Sequence, residues 1–118
     1  MAKYLILIYG DEQQWDTMSA AEQQRIDDGH VAFVAKAGSG IIDGGALEPT
    51  TTATSLRGSS TGRPTVTDGP FLETKEVLGG FYLLEAADLD EAISLAAQLP
   101  EVAAGHSGVE IRPVRAAS

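Results

Sequence analysis

Two short stretches constrain the fold of this chain more than anything else in it. Lys3-Tyr4-Leu5-Ile6-Leu7-Ile8-Tyr9 is rich in β-branched and aromatic residues and stops at Gly10-Asp11, so it reads as a strand. Alternate residues of a strand point to opposite faces. Tyr4, Ile6 and Ile8 therefore share one face, Leu5, Leu7 and Tyr9 the other, and both are apolar. Gly80-Phe81-Tyr82-Leu83-Leu84-Glu85 has the same two-faced character. Strands of this kind have to be covered twice. A chain of 118 residues is the size of one ordinary domain and can cover one face with its own helices. The other face is expected to close against a second copy of the chain.

The remaining elements follow from spacing. Ser19-Ala20-Ala21-Glu22 has the form of a capping box and opens a helix over 19–37. Ile26, His30, Phe33 and Ala37 recur along it at helical spacing and should face the core. Gly29 weakens this helix by up to about 1 kcal/mol relative to Ala, and Gly38-Ser39-Gly40 ends it. Ile41 to Leu47 reads as a strand interrupted by Gly44-Gly45. Thr52–Leu56 and Pro64–Thr67 form a short hairpin turning near Gly58–Gly62, and Asp68-Gly69-Pro70-Phe71 makes a sharp turn. Asp88 opens a second helix with Leu89, Ala92, Ile93 and Ala96 as its buried stripe and Pro100 beyond its end. Val109 to Val114 is the last strand, and Pro113 donates no amide proton, so that end should lie at a sheet edge or leave the sheet. The order is β-α-β-β-α-β with an inserted β-hairpin, a ferredoxin-like α+β arrangement.

Charge and composition exclude several functions. Eight Lys plus Arg stand against seventeen Asp plus Glu, a formal net charge of -9. The cations are scattered, so nucleic acid is not the expected partner, because that binding needs clustered cations to neutralise phosphates. With no Cys there are no disulfides, no thiolate catalysis and none of the common zinc modules. The opening apolar run is too short for a secretory signal or a membrane span, which makes a cytoplasmic protein without membrane contact the expectation. No phosphate-cradling loop and no dinucleotide-binding glycine pattern is present, and no cofactor or metal is called for.

Thr67-Asp68-Gly69-Pro70-Phe71, Glu73-Thr74-Lys75-Glu76, Gly79-Gly80-Phe81-Tyr82 and Gly108-Val109-Glu110-Ile111-Arg112-Pro113-Val114, in that order, resemble the DGPF branch of the YCII-related family. The likeness includes the opening Lys3–Ile8 strand and so covers nearly the whole chain as a single domain, 1–118. It implies a dimeric α+β barrel, with two ferredoxin-like sheets packed face to face. It also implies a His–Asp pair for acid–base chemistry, proposed in the wider family, and an association with sigma-factor-like genes.

Candidate site residues follow. His30 is the leading candidate, because an imidazole can give or take a proton during turnover, and the wider family's proposed catalytic His lies on the corresponding helix. Asp68 is the carboxylate expected to orient it, although capping its own Gly-Pro turn also accounts for an Asp there. Asp43 is the rival partner. Lys75 is a candidate cation for an anionic substrate group, inside a charge run that otherwise reads as a solvated surface. His106 is a candidate second proton carrier, and Arg112 a carboxylate clamp or a structural ion pair. The expected function is a small cofactor-independent enzyme of lyase or isomerase type, acting through His30 and Asp68 on a small organic molecule. The alternative is a non-catalytic metabolite-binding or regulatory module linked to sigma-factor transcription.

Overall fold

The computed structural model describes residues 1–116. The chain runs β1 (Ala2–Asp11), α1 (Glu12–Asp16), α2 (Ala20–Ala37), β2 (Ile41–Ala46), β3 (Thr54–Arg57), β4 (Thr65–Asp68), β5 (Glu76–Ala86), α3 (Leu89–Ala96), α4 (Pro100–Ala103) and β6 (Ser107–Pro113). Strands β2, β5, β1 and β6 form one sheet in that order, with every neighbouring pair antiparallel. Strands β3 and β4 pair with each other in a separate ribbon. This mixed α+β arrangement is compatible with the ferredoxin-like reading. Pro113 closes β6 at the sheet edge, where a missing amide proton is tolerated. Among the described residues, no helix is long and apolar enough to cross a membrane.

The helices cover one face of the sheet only. Register places Tyr4 and Ile6 of β1 opposite Leu84 and Tyr82 of β5. On that face Tyr4, Ile6, Leu84 and Ala86 pack with Phe33 of α2, Ala92 and Ala96 of α3, and Leu99. Phe33 is the largest side chain in this core to be fully buried, and burial of such a ring contributes about 1.5–3 kcal/mol. The opposite face presents Leu5 and Leu7 against Leu83 and Phe81, all half-buried within one chain.

Several local details differ from the spacing argument. Leu89 and Ile93 of α3 are 46% and 47% exposed, while Ala92, Ala96 and Leu99 are buried. The helix is turned so that small residues meet the sheet, which lets it lie close. Pro100 does not merely follow α3; it opens α4, where its fixed φ and missing N–H suit the first turn. Ser19 caps α2, accepting from the Glu22 amide at 3.1 Å, but the Glu22 carboxylate bonds His106 and does not reach back. A reciprocal cap forms at α3, where Asp88 accepts from the Glu91 amide and Glu91 from the Ala87 amide.

The molecule is thin, with principal extents of 49 × 45 × 19 Å and a radius of gyration of 16.3 Å. A compact chain of this length would have roughly 13–14 Å. One sheet carrying one helical layer accounts for the thinness, and the β3–β4 ribbon accounts for much of the spread. The ribbon is tied to the body where Glu12 accepts from the Thr50 amide at 2.9 Å and its hydroxyl at 2.5 Å. Gly69 takes a φ of 108° at its base, a conformation that favours glycine.

Candidate functional site

Helix α2 brings His30 over the sheet, one turn before Phe33. Tyr82 points up from β5 at the same place, being on the face of Ile6 and Leu84. Its ring packs against Phe33, with centroids 4.8 Å apart. A half-buried Tyr has an apolar body packed inside and a hydroxyl that takes a partner, and here that partner is His30: the hydroxyl lies 2.6 Å from Nδ1. The other ring nitrogen, Nε2, lies 2.7 and 2.9 Å from the two carboxylate oxygens of Glu101 on α4. Glu101 is 6% exposed.

The approach of α4 depends on Gly29. A Cβ at that position would fall 2.7 Å from a Pro100 ring carbon, closer than real Cβ contacts. The glycine that weakens α2 therefore lets α4 sit against it, and this seats Glu101 on His30.

The proton arrangement follows from the donors and acceptors. A carboxylate only accepts, so His30 Nε2–H donates to Glu101. In a neutral ring Nδ1 then accepts, and the Tyr82 hydroxyl donates to it. When the ring gains a second proton, Nδ1–H donates to the phenol oxygen and the phenol proton is free to turn away. Burial, and secondarily the negative charge of Glu101, raise the Tyr82 phenol above its ordinary value. It therefore remains a phenol at neutral pH.

A cavity of about 550 Å³ opens beside this trio between α2 and the sheet, within the range of small-molecule sites. Ile8, Met18 and Ile26 supply apolar wall, and Gly44, Gly45, Gly79 and Gly80 supply a floor without side chains. A Cβ on Gly44 would lie 2.7 Å from the Tyr82 ring, so the bare strand also makes room for that ring. Trp15 borders the cavity from α1. Cβ atoms on Gly10 and Gly79 would collide with its indole, so two glycines form the seat on which the ring rests.

The indole is held by a second histidine network. Trp15 Nε1–H donates to Ser107 Oγ at 2.9 Å. Ser107 Oγ lies 2.7 Å from His106 Nδ1, and His106 Nε2 lies 2.8 Å from Glu22 Oε1. His106 is thus not among the cavity-lining residues; it stands behind a residue that is.

The other expected residues lie elsewhere in the protomer. The carboxylate partner of His30 is Glu101 and neither Asp68 nor Asp43. Asp68 ends β4 on the ribbon and is exposed, its strand paired only with β3. Asp43 is exposed on β2, opposite Leu83, and accepts from the Gly44 amide at 2.8 Å. Lys75 is 82% exposed with Nζ 3.8 Å from Asp11, in a groove bounded by Glu12, Thr50 and Pro70. Burial acts to raise the Asp11 carboxyl, but the Gln14 side chain and the amides of Gln14 and Gln13 outweigh it, and the group lies below its ordinary value. Arg112 lies opposite Leu5 on the open face of the sheet. Among the described residues, no group of three His, Cys, Asp or Glu side chains is placed to hold a metal ion.

Two site residues escaped the sequence reading. Tyr82 carried a signal: a hydroxyl on the core face of an apolar strand requires a partner, and His30 sat on the facing helix stripe. Glu101 carried a weaker one, the Pro-Glu pair of a new helix start.

With this geometry in place, the comparisons with known proteins bear on the whole chain. The family model of the YCII-related domain matches residues 2–116. A protein of Rhizobium meliloti (strain 1021), described only as uncharacterised, is 40% identical over 117 residues, covering 94% of this chain and 90% of the relative.

Proposed function

The chain belongs to the YCII-related family, and we propose that it is a small cofactor-independent enzyme of lyase or isomerase type that moves a proton on an organic substrate. The observation that carries this reading is one hydrogen-bonded line, Glu101–His30–Tyr82, ending at a cavity. Tyr82 is the group facing substrate. Its oxygen takes a proton from a carbon acid as its own passes to His30, and Glu101 stabilises the imidazolium that forms. In reverse, the imidazolium drives Tyr82 to protonate a leaving group or carbanion. Positioned groups of this kind contribute about 10²–10⁴-fold. Asp68, in the DGPF turn, acts only if a partner's ribbon reaches the cavity, and Lys75 would travel with it.

The homodimer belongs to the same proposal. Leu5, Leu7, Phe81 and Leu83 form a continuous apolar patch on the uncovered sheet face, and a second copy closing on it builds the α+β barrel. Arg112 and Glu110 on the neighbouring strand would then meet across the interface.

The test works with the natural substrate still unidentified. Purified protein is mixed in D₂O with a panel of cyclic ketones, lactones and enols, and carbon-bound hydrogen exchange is followed by NMR. Exchange catalysed by the native chain and lost in His30→Ala supports the reading; exchange retained in that variant defeats it.

A second reading draws on the ribbon. Leu56, Val66, Phe71 and Leu72 are 56–67% exposed, a composition suited to a protein contact. Under it the chain is a metabolite-binding or regulatory module, and His30→Ala changes ligand affinity with no catalysis to lose.

A further inference from the structure

The cavity beside Tyr82 contains a charge pattern that limits what enters it. Its lining holds two carboxylates, Glu101 and Asp27, beside the His30 ring and the Tyr82 phenol. Among the described residues, no Lys or Arg lines it, and Lys75 and Arg112 lie elsewhere. A carboxylate entering here would lose its water in the company of two other carboxylates, with only the His30 ring to offset them. An ion that gives up water without gaining a partner is disfavoured. A cation fares little better. The two Glu101 oxygens already share the single His30 Nε2–H, and exposed Asp27 accepts from Gln23 at 3.0 Å, so a cation would find both carboxylates already engaged. Among the described residues, no buried side-chain polar atom lacks a partner, so no stranded charge waits for a counter-ion. What the cavity does offer is glycine backbone, an indole and aliphatic wall, with Gln23 and Tyr82 as its uncharged polar side chains.

Resting on the proton-transfer reading, we propose that this site selects for lack of charge: its ligand is an uncharged, largely apolar ring compound presenting one carbonyl or hydroxyl oxygen to Tyr82. A carboxylate is turned away. Lactones, cyclic enones and phenols have this chemistry; ring acids do not.

Trp15 is the single tryptophan of the chain and borders the cavity, so its fluorescence reports occupancy directly. The experiment titrates the native protein at neutral pH with three probes of nearly equal shape: benzamide, benzoate and benzamidinium. Saturable quenching by benzamide is expected, with each ion about tenfold weaker. Benzoate or benzamidinium binding as tightly as benzamide overturns the proposal, as does benzamide without effect. The charge argument is then isolated with Glu101→Gln and, should that variant melt early, Asp27→Asn. Either removes a negative charge and should narrow the gap between benzamide and benzoate; a gap unchanged in both overturns the electrostatic cause. No turnover is read in this experiment. A protein that prefers benzamide yet exchanges no carbon-bound hydrogen keeps this inference and loses the catalytic one, and the opposite pattern separates them the other way.

Discussion

The two histidines of this chain are built alike and end differently. His30 has a carboxylate on Nε2 at 2.7 Å and a hydroxyl on Nδ1 at 2.6 Å; His106 has the same pair at 2.8 and 2.7 Å. What lies beyond the hydroxyl separates them. The Ser107 oxygen already accepts the Trp15 indole N–H, so its chain of bonds is closed inside the protein. Tyr82 borders the cavity, so its chain is open to a ligand. A histidine with a carboxylate is therefore no signature of chemistry by itself. The chemistry depends on whether the far end of the network is free to exchange a proton.

The largest expected effect tests that contrast. His30→Ala and Tyr82→Phe should each lower catalysed hydrogen exchange by about 10²–10⁴-fold, and His106→Ala by less than about tenfold. Equal losses at the two histidines, measured by NMR in D₂O, would break the comparison. His30→Ala also leaves Glu101 buried without its partner, at a cost below the roughly 3–5 kcal/mol seen for fully buried pairs, because the His30 side chain is 23% exposed. Pairing it with Glu101→Gln should recover most of the melting temperature and none of the exchange. That separates a fold defect from a lost proton carrier.

Next in size is Gly29→Ala. Helix propensity alone predicts a gain of up to about 1 kcal/mol. The contact with Pro100 predicts the opposite, since overpacking of this kind costs about 1–3 kcal/mol. The variant should melt lower and exchange more slowly, because α4 retreats and takes Glu101 with it. A raised melting temperature would show that the close approach is not what seats the carboxylate.

The same position illustrates what the sequence could and could not reveal. Strand and helix order was legible because apolar periodicity is a local property, as was the place of His30 on the core stripe of α2. The two-faced character of β1 and β5 was legible for the same reason, and one of those faces is indeed filled by Phe33 and Leu99. The partner of His30 was not legible. Glu101 is 71 residues away on a four-residue helix whose only mark is a proline that also reads as a stop. Asp68 was more conspicuous because turn chemistry concentrates Asp beside Gly-Pro, and that local cause says nothing about long-range contact. Leu89 and Ile93 misled for a related reason: they are the larger apolar residues of α3, but the close packing against β5 takes the alanines.

A smaller effect is expected at Ser107→Ala. It removes the acceptor of the Trp15 indole, a loss of about 1 kcal/mol, and frees the ring on its glycine seat. The emission of Trp15 should shift and the KM for an exchanging substrate should rise severalfold with kcat little changed. A fall in kcat matching that of Tyr82→Phe would instead mean that the closed network moves protons too.

The smallest effect concerns the ribbon and depends on pH. The Thr50 hydroxyl, and secondarily its amide, hold the Glu12 carboxyl below its ordinary value. A carboxyl depressed in the folded state binds fewer protons there than in the unfolded chain, so its contribution is present above the ordinary carboxylate range and disappears as pH falls through the folded value. Acidification through that range should therefore loosen the ribbon's tie to the body. Hydrogen exchange of the Thr50 amide, followed from neutral pH downward, should lose protection in that window after correction for the intrinsic rate. Glu12→Gln should flatten the response. A Thr50 amide equally protected across the range in both forms would mean that the ribbon is fixed by something other than this bond, and would move attention to a second chain lying across it.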